Sequence, residues 1–265
     1  MAKRADKVTR PSKSPHESQY QAKQKKSSVT AFPRATDWDP LVANESRGTG
    51  TKDERRDQRY VKNVRPQTPG QAVLWKAIHS YNMTLALGPA GTGKTYLAIS
   101  AAVEALEAGT VDRVILSRPA IEAGESIGYL PGDINDKMAP FLRPLTDALM
   151  DRIGGKRLKQ YMADGTIEIA PVAYMRGRTL NNAFIVIDEA QNCTYTQIKM
   201  LLTRLGWSST MVLTGDPAQS DLLPGISGLA DIATRLEKVA NIGVVRLEDR
   251  DIVRHPLVAS MLGVL

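Results

Sequence analysis

The amino-acid sequence predicts an α/β fold, a mainly parallel sheet between helical layers, preceded by a basic N-terminal tail. Three observations predict it. From about residue 65 onward, short apolar runs alternate with amphipathic helical stretches, as in chains where strands are joined by crossover helices. A glycine-rich turn joins the first of those runs to the helix that follows. The first sixty residues have a different texture, rich in Lys, Arg, Ser, Gln, Thr and Pro and poor in apolar residues.

That composition cannot bury enough surface to offset chain entropy, so residues 1–60 are expected to be a largely disordered tail and residues 61–265 a folded domain. The net charge of +7 belongs to the tail: residues 1–65 carry 16 Lys+Arg against 8 Asp+Glu, and the remainder carries 19 against 20. A basic tail attracts polyanions, nucleic acid among them. At 42% hydrophobic content the rest can fill one sizeable core. No apolar run approaches the roughly 18 residues that span a bilayer, and the N-terminus lacks the apolar stretch of a secretory signal. The single cysteine, Cys193, excludes an internal disulfide framework and a cysteine-rich zinc site. Together these features point to a cytoplasmic protein.

The elements follow in order. "MTLALG" (83–88) reads as a buried strand, then the glycine-rich turn, then the helix "KTYLAISAAVEALEAG". "RVILS" (113–117) is the next strand. "NDKMAPFLRPLTDALMDRI" has helical periodicity, with interruptions expected at Pro140 and Pro144. "AFIVID" (183–188), "TMVLTG" (210–215) and "IGVVRL" (242–247) are three further strands, and "YTQIKMLLTRLG" and "SGLADIATRLEKVA" are helices between them. In such sheets ligands bind beyond the carboxyl ends of the strands.

The stretch Gly88-Pro89-Ala90-Gly91-Thr92-Gly93-Lys94-Thr95 fits G-x-x-x-x-G-K-[ST] completely and sits between a strand and a helix, where a phosphate-binding loop belongs. Its amides and the helix N-terminus, with Tyr96 in the first turn, would face phosphate oxygens. Lys94 would reach the β- and γ-phosphates, and Thr95 would offer a hydroxyl to Mg²⁺. The stretch "IVIDEAQN" then sets two carboxylates at the end of an apolar strand, costly without a compensating cation. A magnesium ion on a bound nucleotide supplies one, so Asp188 is a candidate metal residue alongside Thr95. Glu189 would deprotonate the attacking water. After the next strand, "LTGDPAQSDL" places Thr214, Gly215 and Asp216 at a strand end, and Gln219 would register the γ-phosphate and water together.

With "SRPAIEAGESIGYLPGD", "LTRLG", "SGL" and "DIVRHPLV", these motifs resemble the PhoH-like ATPase family over about residues 65–260. One departure is Asp221-Leu222-Leu223-Pro224 in place of Asp-Leu-Pro. The resemblance implies a three-layer P-loop NTPase fold of the RecA-like type, similar to the first motor domain of superfamily 1 helicases. It implies an ATPase with ATP and Mg²⁺ as nucleotide and metal. It also implies that Gln71 reads adenine and that Arg254, and less so Arg204, donates to the γ-phosphate. With one motor core in this sequence, the resemblance further implies a homo-oligomer, possibly a hexameric ring, sharing arginines between subunits. RNA or another nucleic acid is the expected partner, through the loop after the second strand, "GGKRLKQY" (154–161), Arg176 and Arg178. The alternative is a nucleotide-controlled assembly factor acting on a protein complex. His255 and Cys193 read as structural residues.

Overall fold

The computed structural model describes residues 64–119, 134–223 and 225–253. The tail expected over residues 1–60, most of the "SRPA…GYLPGD" loop, Arg254 and His255 lie outside them. Six parallel strands form one sheet in the order β3-β2-β4-β5-β1-β6. They are β1 (Met83–Leu87), β2 (Arg113–Arg118), β3 (Ile167–Pro171), β4 (Ala183–Ile187), β5 (Thr210–Gly215) and β6 (Ile242–Arg246). Every residue of β1 and β4 is buried. They are continuous apolar runs because helices cover both faces. The edge strands β3 and β6 are only partly covered.

One face packs against α1 (Pro69–Ser80), α2 (Lys94–Glu107), α3 (Ile134–Ile153) and α4 (Gly155–Ala163), through Leu74, Leu97, Leu149 and Leu158 among others. The other packs against α5 (Tyr195–Leu202) and α6 (Leu229–Leu236), through Ile198, Leu201, Leu229 and Ile232. The result is the expected three-layer α/β arrangement with a parallel sheet. Five of the six strands fall where the apolar runs place them; β3 is additional.

The interruption expected at Pro140 and Pro144 is absent: α3 runs unbroken through both. Both prolines face solvent. Water can therefore hydrate the carbonyls left without a donor, while Leu145 and Leu149 keep the opposite side packed.

Candidate functional site

The site forms at the carboxyl ends of β1, β4 and β5, with β5 lying between the other two. After β1 the chain turns through Gly88–Gly93 into α2. Gly91 and Gly93 take φ of 84° and 81°, a region that a side chain disfavours. Gly93 is the N-cap of α2, so the loop delivers the helix N-terminus and its unpaired amides to the sheet edge.

A cleft of about 300 Å³ opens there. Ala90, Gly91, Gly93, Lys94, Thr95 and Tyr96 line it on the loop side, and Asp188, Glu189, Gln191, Gly215, Asp216 and Gln219 on the other. Eleven of the residues named in the sequence thus meet in one cleft. Gly88, Pro89 and Thr92 stand behind it. The Thr92 hydroxyl donates to the Pro89 carbonyl at 2.9 Å, and the Gly88 and Pro89 carbonyls accept from Lys94 Nζ at 2.6 and 2.7 Å. Burial pushes the Lys94 ammonium below its ordinary pKa, while Asp216, Glu189 and Asp188 pull it back up. The buried cation is thus balanced by carboxylates grouped across the cleft.

Asp188 follows β4 directly and is buried. Its Oδ1 accepts from the Thr95 hydroxyl at 2.6 Å and from the Thr214 hydroxyl at 2.6 Å. One carboxylate oxygen therefore ties the phosphate-loop helix to β4 and β5. A hydroxyl and a carboxylate side by side are the hard oxygen donors that suit Mg²⁺, which takes one or two protein ligands and completes its shell with phosphate and water. Among the described residues no cluster of three His, Cys, Asp or Glu could hold a metal alone. Thr95 and Asp188 offer two such donors beside the glycine-rich loop.

Glu189 adopts φ 54° and begins a 3₁₀ turn, Ala190–Asn192. Its Oε1 lies 3.3 Å from Arg118 Nη2, and its Oε2 accepts from Gln191 Nε2. Gln191 Oε1 accepts from the Asp216 amide at 3.0 Å, and the Gln191 carbonyl accepts from the Ser220 hydroxyl at 3.1 Å. Asn192 exchanges two 2.9 Å hydrogen bonds with Asp221. The turn carrying Glu189 is thus stitched to the loop carrying Gln219. Sequence reasoning passed over Arg118 and Gln191. The only signal for Gln191 was its place two residues after Glu189, and Arg118 gave none beyond lying in a quoted motif.

Two residues named from the resemblance are not among those lining the cleft. Gln71 is buried and does not line the cleft. Its Nε2 donates to the Thr92 carbonyl at 3.1 Å and its Oε1 accepts from the Gln67 amide at 2.8 Å. This side-chain amide braces the phosphate loop. Arg204 donates to the carbonyls of Met200 and Arg178 and to Thr203. The residues after it pair with Leu180 and Asn182, just ahead of β4, at the opposite end of the strands from the cleft. It therefore does not reach the cleft of its own chain. The basic residues expected to meet nucleic acid are partly spent: Arg178 makes a bidentate pair with Glu168 at 2.6 Å, and Arg157 bonds Glu107 and Tyr161. Arg254 lies outside the described residues, but the Val253 amide beside it donates to the Gly91 carbonyl at 3.0 Å.

A family model described as PhoH-like protein matches residues 63–265. A PhoH-like protein of Bacillus subtilis is 50% identical over 202 residues, covering 76% of this chain and 63% of its own length. Protein PhoH of Escherichia coli is 44% identical over 205 residues, covering 76% and 58%. The chain thus spans about three fifths of the length of these curated relatives. Among solved structures, the large terminase of a thermophilic bacteriophage superposes with a TM-score of 0.46 at 12% identity, over 75% of this chain and 50% of that one. A likeness so distant carries no argument here.

Proposed function

Because the chain belongs to the PhoH-like protein family, we propose that its cleft binds ATP with Mg²⁺ and hydrolyses it, and that hydrolysis is coupled to binding or remodelling RNA or another nucleic acid. One observation carries the first part: Thr95 and Asp188, far apart in sequence, share a 2.6 Å hydrogen bond in a cleft that also holds Lys94 and Glu189. A glycine-rich turn alone would give the loop without the carboxylates.

In this reading the loop amides and Lys94 hold the phosphates. Lys94 leaves the carbonyls of Gly88 and Pro89 for the β- and γ-oxygens. Thr95 and Asp188 would hold Mg²⁺, which when bound neutralises charge spread over those oxygens. Glu189 orients a water toward the γ-phosphorus and takes its proton as the new P–O bond forms. The bond to the β-phosphate breaks, and ADP leaves with the electron pair. The proton then passes to solvent. Gln219, exposed at the cleft mouth, contacts the γ-phosphate or the water.

Turnover assays with three variants test this. Lys94→Ala abolishes nucleotide binding and hydrolysis. Glu189→Gln keeps ATP bound and loses about 10²–10⁴ in kcat, the usual contribution of a general base. Full turnover in Glu189→Gln overturns the base assignment. For sharing of the site between subunits, mixing Lys94→Ala with Arg254→Ala protein restores part of the ATPase. No recovery between folded partners, with the Arg254→Ala protein still binding nucleotide, counts against it.

The nucleic-acid part is supported by the positive charge of residues 1–65. It predicts ATPase stimulation by RNA that weakens as salt rises. The second reading, a nucleotide-controlled assembly factor, is favoured by Leu223 and Ile226, exposed at 73% and 42% just beyond the loop that carries Gln219. An ATP-dependent protein partner with turnover indifferent to RNA would select it.

A further inference from the structure

We infer that Arg118 is a positioning residue for hydrolysis: from outside the cleft it fixes the carboxylate of Glu189 on which the attacking water depends. The inference rests on the ATPase reading above and assigns that site a further residue.

A general base works only if its lone pair points at the proton it removes, and misplacement by about 1 Å can cost 10²-fold in rate. Glu189 has little intrinsic reason to hold still. It starts a 3₁₀ turn past the end of a strand, in a backbone region that non-glycine residues seldom occupy, and its side chain is 36% exposed. Its two oxygens are nonetheless both engaged. Gln191 donates to Oε2 from within the turn, and Arg118 approaches Oε1 at 3.3 Å from another strand. With one partner on each oxygen, rotation of the carboxylate breaks a contact whichever way it turns.

Arg118 can serve as the fixed partner because of where the sheet puts it. Ser117 of β2 pairs with Ile187 of β4, and the Asp188 amide continues that ladder by donating to the Ser117 carbonyl at 2.8 Å. The last residue of β2 thereby lies beside the turn that opens with Glu189. The guanidinium also donates to the Phe141 carbonyl of α3 at 3.4 Å, so its planar fork is held on a second side. Arg118 is not among the residues lining the cleft, whereas Glu189 is. It therefore acts on the reaction through Glu189 and leaves the phosphates to Lys94 and the loop.

The experiment measures steady-state ATPase, affinity for a fluorescent ATP analogue and thermal melting for Arg118→Ala and Arg118→Lys, each alone and combined with Glu189→Gln. The expected result for Arg118→Ala is a fall of about 10–100-fold in kcat, with KM and analogue affinity close to wild type. Arg118→Lys recovers part of the loss, since an ammonium restores the charge without the fork. In the Glu189→Gln background Arg118→Ala produces no further loss, because the group it positions is gone. Unchanged or raised kcat in Arg118→Ala overturns the inference. So does a defect confined to KM and affinity, or an equal further loss in the Glu189→Gln background, which would mean that Arg118 acts on the phosphates directly. If Arg118→Ala melts too low to assay, the same comparison is decided by Arg118→Lys and Arg118→Gln. Wild-type protein without Lys94-dependent turnover overturns both the ATPase reading and this inference; active wild type with indifferent Arg118 variants overturns the inference alone.

Discussion

Asp251 shows how much one side chain can tie together. Its Oδ1 accepts from the Thr68 hydroxyl at 2.7 Å and the Gly70 amide at 3.1 Å, and its Oδ2 from the Glu248 amide at 3.0 Å. Thr68 caps α1, so the carboxylate fastens the start of that helix to the 3₁₀ turn after β6. The Thr68 hydroxyl first, then the two amides and Arg250, hold its pKa below the ordinary value. The folded state thus binds this proton more weakly than the unfolded chain. The stabilisation is fully present above the unfolded value of about 3.9 and is lost as pH falls through the folded value. Asp251→Asn is expected to cost about 1–3 kcal/mol near neutral pH. Melting curves against pH should show the gap to wild type closing below about pH 4. Gly70→Ala should be at least as damaging, because its Cβ would sit 2.5 Å from Asp251 Cγ. None of this was legible in the sequence, where Asp251 is one acid in a charged run. The phosphate loop was legible because its chemistry is contiguous. The Arg118–Glu189 pair was not, because only strand order makes those residues neighbours.

At the scale of elements, β1, β2, β4 and β5 were legible because a largely buried strand leaves a nearly continuous apolar run, and the edge strand β6 was legible because its own apolar run is unbroken. β3 escaped because it is an edge strand with Glu168 inside it and Pro171 at its end, leaving too short a run to stand out. The helix α5 has a complete capping box: Thr194 Oγ1 accepts from the Gln197 amide, and the Gln197 side chain accepts from the Thr194 amide. Thr194→Ala is expected to cost about 1 kcal/mol, read by denaturant unfolding. The turn after β4 and the loop after β5 form a second unit. Asn192→Ala removes both bonds to Asp221, so the loop carrying Gln219 loosens. The expected signature is reduced kcat with nucleotide affinity retained, separable by turnover and binding assays.

For the whole molecule, the sheet divides the core into two populations of side chains. Leu149 on α3 and Ile198 on α5 are both fully buried, on opposite faces. Truncating either to alanine should cost about 2–5 kcal/mol. Because the sheet separates them, the double variant should lose the sum to within about 0.5 kcal/mol. Urea titration of the two single variants and the double measures it. A loss of that size is a large fraction of the stability of an ordinary domain, about 5–15 kcal/mol, so the double variant should melt well below either single variant.

The placement of β5 between β1 and β4 turns the sheet into a ruler. Two interstrand spacings of about 4.8 Å set the gap between the strand that launches the phosphate loop and the one that ends at Asp188. That gap can widen or narrow only by unzipping a ladder buried on both faces. Any movement at the cleft must therefore be taken by the connections that leave the strand tips, with the platform beneath them standing still.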